Sequence, residues 1–274
     1  MTQEGAAATA TDRAPCAPFV SRLSVTAIKG FALEHPDKVE LAVHGAVGDR
    51  DFVVVDAEDR LVSITKTGAW VGLRATYDRE ADRLGVRDAD GGVWEGQVAF
   101  GAPVDVDMFG LRRSPGRVVE GPWSALLSDR AGRAVRLVRT DGPGDGSDVH
   151  PVTFLGDATV DHLAREAGLA TVDARRFRML FAIGGSPAHA EDGWEGRRVR
   201  VGDAVVEVGG PVPRCAGVTR HPDGGDRDVP VVRMIKAYRG LQDTELGPGV
   251  ALGVYGRVIR PGRVRVGDAV ELAD

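Results

Sequence analysis

Arg198-Val199-Arg200-Val201-Gly202-Asp203-Ala204-Val205 recurs, residue for residue, at Arg263-Val264-Arg265-Val266-Gly267-Asp268-Ala269-Val270. Each copy alternates β-branched and polar residues around Gly-Asp, the period of a half-buried strand interrupted by turn chemistry. Both copies therefore read as tight β-hairpins, and two similar hairpins suit a barrel closed by pseudo-equivalent elements. Working outward, the same valine-rich alternation marks Val39–His44, Asp51–Asp56, Arg60–Thr65 and Val135–Arg139, and carries the two repeats on to Val208 and Leu272. Many short strands punctuated by Gly and Asp point to a sandwich or barrel. The fold class expected is mainly β with a few short helices.

Three segments carry helical spacing instead. Pro122–Arg130 places Trp123, Leu126 and Leu127 on one face behind a helix-starting proline. Asp157–Ala167 aligns Val160, Leu163, Ala164 and Ala167, with Asp157 as N-cap and Gly168 as the stop. Pro230–Arg239 ends at Gly240 and points Val232 and Ile235 inward. Between the first two helices, Asp141–Asp148 is rich in Gly and Asp and reads as a mobile loop or linker that divides the chain.

At 274 residues the chain is one large or two small domains, with length enough for a packed core. No apolar run approaches the roughly 20 residues of a membrane span, so neither a membrane nor a transmembrane role is expected. Met1–Pro18 has neither the basic start nor the apolar centre of a secretory signal and reads as a disordered tail. With only two cysteines, Cys16 and Cys215, a disulfide framework is not the organising principle, and a reducing, cytoplasmic setting is expected. The net charge of −5, spread along the chain, excludes the basic stripe that nucleic acid requires.

Most familiar catalytic signatures are missing: the sequence has no HExxH, CxxC, GxSxG or P-loop. The Gly142–Gly146 run is acidic and would repel a phosphate. His35, His44, His150, His162, His189 and His221 lack ligand spacing and read as surface or turn histidines. Gly209-Gly210-Pro211-Val212-Pro213-Arg214-Cys215 differs in kind, because it leaves a strand, bends, and presents a guanidinium beside a lone thiol. A neighbouring cation stabilises thiolate, which is both the nucleophilic form and a soft-metal ligand. A small buried apolar residue is the other reading of the same cysteine.

Several segments, taken in order, resemble the MOSC family (molybdenum cofactor sulfurase C-terminal) with its N-terminal β-barrel companion. Ala27-Ile28-Lys29-Gly30 and Gly48-Asp49-Arg50 before Phe52–Asp56 are similar to the family's Pro-Val-Lys-Ser and Gly-Asp-Arg motifs. His150-Pro151-Val152-Thr153 resembles the entry to its central helix, and Arg176-Phe177-Arg178 its Arg-Phe-Arg-Pro-Asn motif. Glu191–Trp194, Val201-Gly202-Asp203, Arg214-Cys215 and Leu252–Tyr255 complete a match over roughly residues 20–272. Met179-Leu180 stands where the family has Pro-Asn, Gly30 where Ser is common, and His221 where an acidic residue precedes proline.

The resemblance implies a MOSC-type β-barrel over residues 119–274, an N-terminal β-barrel-like domain over 19–118, and a tail over 1–18. It implies Cys215 as catalytic sulfur and metal ligand, with Lys29, Gly30, Arg50, Thr153, Arg178 and Arg214 binding the cofactor. That cofactor is the molybdenum cofactor, a polyanionic molybdopterin that guanidinium groups suit through bidentate phosphate contacts. The reaction implied is reduction of N-hydroxylated or N-oxide small molecules, with electrons from a separate donor protein. Sulfur transfer and pyridoxal phosphate binding are further activities the resemblance implies. A metal-independent sulfur carrier or cysteine-nucleophile enzyme is the alternative, and a ligand-binding scaffold barrel a third reading.

Overall fold

The computed structural model describes residues 17–273; Cys16 and all but the last two residues of the expected Met1–Pro18 tail lie outside the described residues. The largest element is a seven-stranded sheet with the spatial order Phe19–Leu23, Phe181–Gly184, Val152–Gly156, Ala251–Arg260, Ala204–Pro213, Arg198–Val201 and Val270–Ala273. Every neighbouring pair is antiparallel except Val152–Gly156 with Phe181–Gly184. A parallel pair needs a long crossover, and the helix that follows Gly156 supplies it. The two outer strands meet at an isolated Phe19–Ala269 pair, reinforced by Val20 N–H to Asp268 carbonyl and Val270 N–H to Pro18 carbonyl bonds. The sheet thus curls until its edges touch, around a core that includes Val20, Phe154, Phe181, Val199, Val206 and Val254.

A four-stranded sheet runs Phe52–Val55, Arg136–Thr140, Arg112–Glu120, Ala99–Met108. All four residues of Phe52–Val55 are buried. Phe52 and Val54 enter one apolar cluster with Trp70 and Trp123, while Val53 and Val55 enter another with Val106 and Met108. A strand covered on both faces is unbroken apolar sequence rather than alternating, which is what Phe-Val-Val-Val shows. Smaller sheets are formed by Arg74–Asp78, Arg83–Arg87 and Val93–Gln97, and by Gly262–Arg265, Lys38–Ala42 and Gly45–Ala46.

The two octapeptide copies adopt different structures. In the first, Val201 pairs with Ala204 across Gly202-Asp203, a two-residue hairpin. In the second there is no hairpin: Gly262–Arg265 pairs with Lys38–Leu41, and Val270–Ala273 pairs with Arg198–Val201. The Gly267 N–H donates to the Val20 carbonyl, so the turn serves the first strand of the chain instead of closing on itself. Tertiary partners, which differ at the two sites, override an identical local preference.

The three α-helices lie close to where their spacing places them: α1 Trp123–Ala131, α2 Asp157–Glu166 and α3 Val231–Arg239. In α3 the fully buried residues are Val231 and Ile235, with Val232 only half-buried. In α2 the N-cap is Gly156, not Asp157, and the missing side-chain cap comes from Glu191, whose carboxylate accepts the Gly156 N–H at 3.2 Å. Among the described residues no helix is long and apolar enough to cross a membrane.

Two connections differ from their expected character, and both reach the same place. Arg60–Thr65 makes only isolated bridges at Arg60 and Leu61, then turns. The Asp141–Asp148 segment is tied down: Lys29 donates to the Gly146 carbonyl at 2.7 Å, and Arg112 to the Asp145 and Ser147 carbonyls at 2.8 and 2.6 Å. A Cβ on Gly146 would lie 1.9 Å from the Arg50 carbonyl oxygen, so only glycine permits this approach.

Candidate functional site

These connections frame a cavity of about 130 Å³. All seven residues proposed from the motifs, Lys29, Gly30, Arg50, Thr153, Arg178, Arg214 and Cys215, line it. They arrive from separate places: the bend before Phe52–Val55, the start of α2's preceding strand, the turn after Ala174–Phe177, and the end of Ala204–Pro213.

Arg50 and Arg178 both sit in the left-handed region, at φ 57° and 54°. For a non-glycine residue this costs on the order of 1–2 kcal/mol, and such strain concentrates at functional positions. Arg178 terminates the 3₁₀ turn Ala174–Phe177, and its guanidinium donates to the Phe31 carbonyl at 2.7 Å. Arg50 donates to the Arg178 carbonyl at 3.1 Å and pairs with Asp49, whose other oxygen accepts the Thr26 N–H at 2.8 Å. Arg214 donates to the Leu252 and Phe177 carbonyls and to Met179 Sδ, and lies over the Phe177 ring.

Neither Arg178 nor Arg214 has a carboxylate partner among these contacts. Burial accordingly pushes both guanidinium groups down to about 10, and for Arg178 the neighbouring Arg50 charge adds to the effect. Lys29 is lowered as well, first by burial and then by Arg50 and Arg178, against the opposing pull of Asp148. Asp148, 2.5 Å from Lys29 Nζ, is the carboxylate that lines the cavity. Burial opposes its ionisation, but Lys29, Arg50 and Arg178 outweigh that and hold it below the ordinary carboxylate range. The cavity holds an excess of positive charge, which is suited to an anion.

Cys215 is exposed and its thiol is free, which removes the reading of a sealed apolar cysteine. Its sulfur accepts a hydrogen bond from Thr65 Oγ1 at 3.2 Å. The Thr153 oxygen accepts the Leu180 N–H at 2.8 Å, leaving its proton free to donate. Gly30, at φ +91°, suits glycine, and a Cβ there would crowd Ile64 at 3.0 Å and Trp70 at 3.1 Å, so a larger side chain would strain the backbone and press on both neighbours. Among the described residues no group of three His, Cys, Asp or Glu side chains could hold a metal ion. A metal at Cys215 would have to bring its remaining ligands with it.

Other lining residues escaped the sequence reading. Ser63, Ile64 and Thr65 come from a turn with no motif to mark it. His150, read as a surface histidine, lines the cavity, stacks edge-on against Tyr255 and pairs with Glu245 at 2.7 Å. Arg176, by contrast, is structural, being buried and bound by Asp228 through both terminal nitrogens at 2.7 Å.

Residues 141–271 match the family model of the MOSC domain, a family associated in general with the molybdenum cofactor. No curated protein matches the chain. Among solved structures, the YuaD protein from Bacillus subtilis is 12% identical, with 94% of this chain and 96% of that one covered and a TM-score of 0.45. YiiM from Geobacillus stearothermophilus is 18% identical, with coverage of 45% and 54% and a TM-score of 0.33. YiiM from Escherichia coli is 20% identical over the same shares, with a TM-score of 0.32.

Proposed function

On the premise that residues 141–271 are a MOSC domain, we propose that this protein holds the molybdenum cofactor in the cavity at Cys215 and reduces N-hydroxylated or N-oxide small molecules. The observation that carries the proposal is the meeting, in one cavity, of an accessible thiol with two guanidinium groups that lack a carboxylate partner. Such groups fit a ligand that is at once soft at one end and polyanionic at the other.

In this reading Arg178, Arg214, Arg50 and Lys29 bind the anionic part, and Cys215 provides the soft ligand. Thr153 donates its free proton to an acceptor on the ligand, and Gly30 keeps the cavity floor open. At about 130 Å³ the cavity is smaller than the roughly 300–1,000 Å³ of pockets that enclose a whole ligand; part of a cofactor would remain in the mouth. When bound, the cofactor supplies the two-electron chemistry. Conversion of an N-hydroxyl group to amine and water consumes two electrons and two protons, and a separate electron-donor protein provides the electrons. Pyridoxal phosphate is not part of this proposal.

The test is elemental analysis of the full chain purified from a host that makes the cofactor. About one molybdenum per chain, lost in Cys215→Ala with the fold retained by circular dichroism, is expected; a metal-free wild type overturns the proposal. A second reading, Cys215 as a persulfide carrier, is favoured by Met179-Leu180, since Leu180 is buried and Met179 brings a thioether, so neither replaces a polar amide. Mass spectrometry of Cys215 for added sulfur, on the same preparation, reads it out.

A further inference from the structure

Trp70 and Trp123 are both fully buried, but their indole N–H groups are treated differently. Trp123 donates to the Trp94 carbonyl at 3.2 Å, whereas Trp70 Nε1 has no hydrogen-bond partner among the described residues. A buried tryptophan N–H ordinarily finds an acceptor, because an unpaired one forfeits the bond that water made to it. This unpaired N–H lies behind the cavity wall: a Cβ on Gly30, a lining residue, would stand 3.1 Å from Trp70 Nε1. That is a hydrogen-bond distance. The space that glycine leaves bare is thus a cradle for one acceptor atom, with a donor already at its back. We infer that Trp70 is a ligand-binding residue, whose indole N–H donates to an oxygen of an anion seated on Gly30.

The fold holds both halves of this cradle in place. The Trp70 side chain belongs to the apolar cluster that includes Phe31, Phe52 and Leu73. Leu73 N–H donates to the Trp70 carbonyl, and Ala32 N–H donates to the Leu73 carbonyl at 2.9 Å, which ties the Trp70 turn to the bend at Gly30. An indole N–H donates and cannot accept, so what it meets must carry a lone pair. Lys29, Arg50 and Arg178 line the same cavity and give preference to an acceptor that is negatively charged. Ile64 Cγ2 stands 3.0 Å from the same spot. Its side chain is half-buried and also lines the cavity, and it must yield by a few tenths of an ångström to admit an oxygen.

The inference rests on the proposed function for one point, that the cavity takes an anion, and its test uses inorganic phosphate on the full chain made in a host without the cofactor. The four tryptophans each give one indole signal in a proton–nitrogen correlation spectrum, and the signal lost in Trp70→Phe is that of Trp70. Phosphate is expected to move this signal downfield and to leave that of Trp123 in place, while sodium chloride of equal ionic strength moves neither. Trp70→Phe keeps an aromatic ring but removes the donor, and should weaken phosphate binding about tenfold, as expected for one hydrogen bond to a charged acceptor. Gly30→Ala fills the cradle and should abolish the downfield shift; the wild-type spectrum decides even if that variant fails to fold. A Trp70 signal that phosphate leaves in place, or a folded Trp70→Phe chain that binds phosphate as tightly as the parent, overturns the inference. Molybdenum-free protein from the cofactor-making host would sink the proposed function and leave the phosphate-dependent shift standing. In protein that carries the cofactor, a signal displaced before phosphate is added assigns the oxygen to the cofactor, and one displaced only by phosphate assigns it to a second anion.

Discussion

Inorganic phosphate should stabilise this protein, and the size of the effect follows from two arginines. A guanidinium held at about 10, against its ordinary 12.5, has a charged form disfavoured by about 3 kcal/mol. For half-buried side chains facing a cavity that is an upper figure. A bound anion recovers part of that cost at Arg178 and Arg214, and phosphate at one hundred times its dissociation constant contributes about 2.7 kcal/mol. For a chain of this length that corresponds to a rise in Tm of roughly 5 °C. The assay is thermal unfolding at pH 7 with and without 10 mM phosphate, about a hundredfold excess for the sub-millimolar site assumed here, against sodium chloride of equal ionic strength. Arg178→Met and Arg214→Met should each lose most of the phosphate-dependent rise, whatever their own midpoints. A rise equalled by chloride, or one that survives both substitutions, refutes the assignment of the cavity as an anion site.

Two further outcomes test the fold. Gly202→Ala and Gly267→Ala change the same position of the repeated octapeptide, yet they should differ in cost. Both have positive φ, but a Cβ at Gly202 would lie 2.4 Å from Asp268 Oδ2 and 2.7 Å from the Arg263 carbonyl, while Gly267 has nothing within 4 Å. About 1–2 kcal/mol of backbone strain is expected at Gly267 and roughly twice that at Gly202, read by urea denaturation; equal losses would contradict the interlocked arrangement. Glu191 is 1% exposed, and burial raises its carboxyl above the ordinary glutamate range. Its protonated form is the favoured one, so wild-type stability should fall as pH rises from the unfolded value toward the folded one. Glu191→Gln should flatten that limb in a pH series of Tm, and a persistent slope would assign it elsewhere.

What the sequence made legible was local or tied to a motif. Phe52–Val55 announces itself as an unbroken apolar run because it is buried on both faces, and the three helices because burial on one face leaves a periodic trace in residue type. The seven motif residues, though far apart in the chain, line one cavity, since each sits on a backbone feature with its own signature, such as the glycine before Arg50 or the proline-rich bend before Cys215. The second octapeptide misled because its Gly267 turn hydrogen-bonds to Val20, a partner that no local pattern names. The Gly142–Gly146 run looked like a linker because glycine marks both freedom and close approach; the Arg50 carbonyl beside Gly146 shows it is the second. Thr65 and Asp148 were invisible as cavity residues for a plainer reason: a hydroxyl or carboxylate gains its place here from what the fold sets opposite it.

The seam at Phe19 and Ala269 joins the first described strand to the last. A ring closed at that point cannot be completed until residue 269 has been synthesised, 250 positions after its partner Phe19, and contacts of such long sequence separation make for slow folding. Until the seam forms, the Phe19–Leu23 and Val270–Ala273 edges stand open to neighbouring chains, so the interval before closure is when this protein is most exposed to self-association.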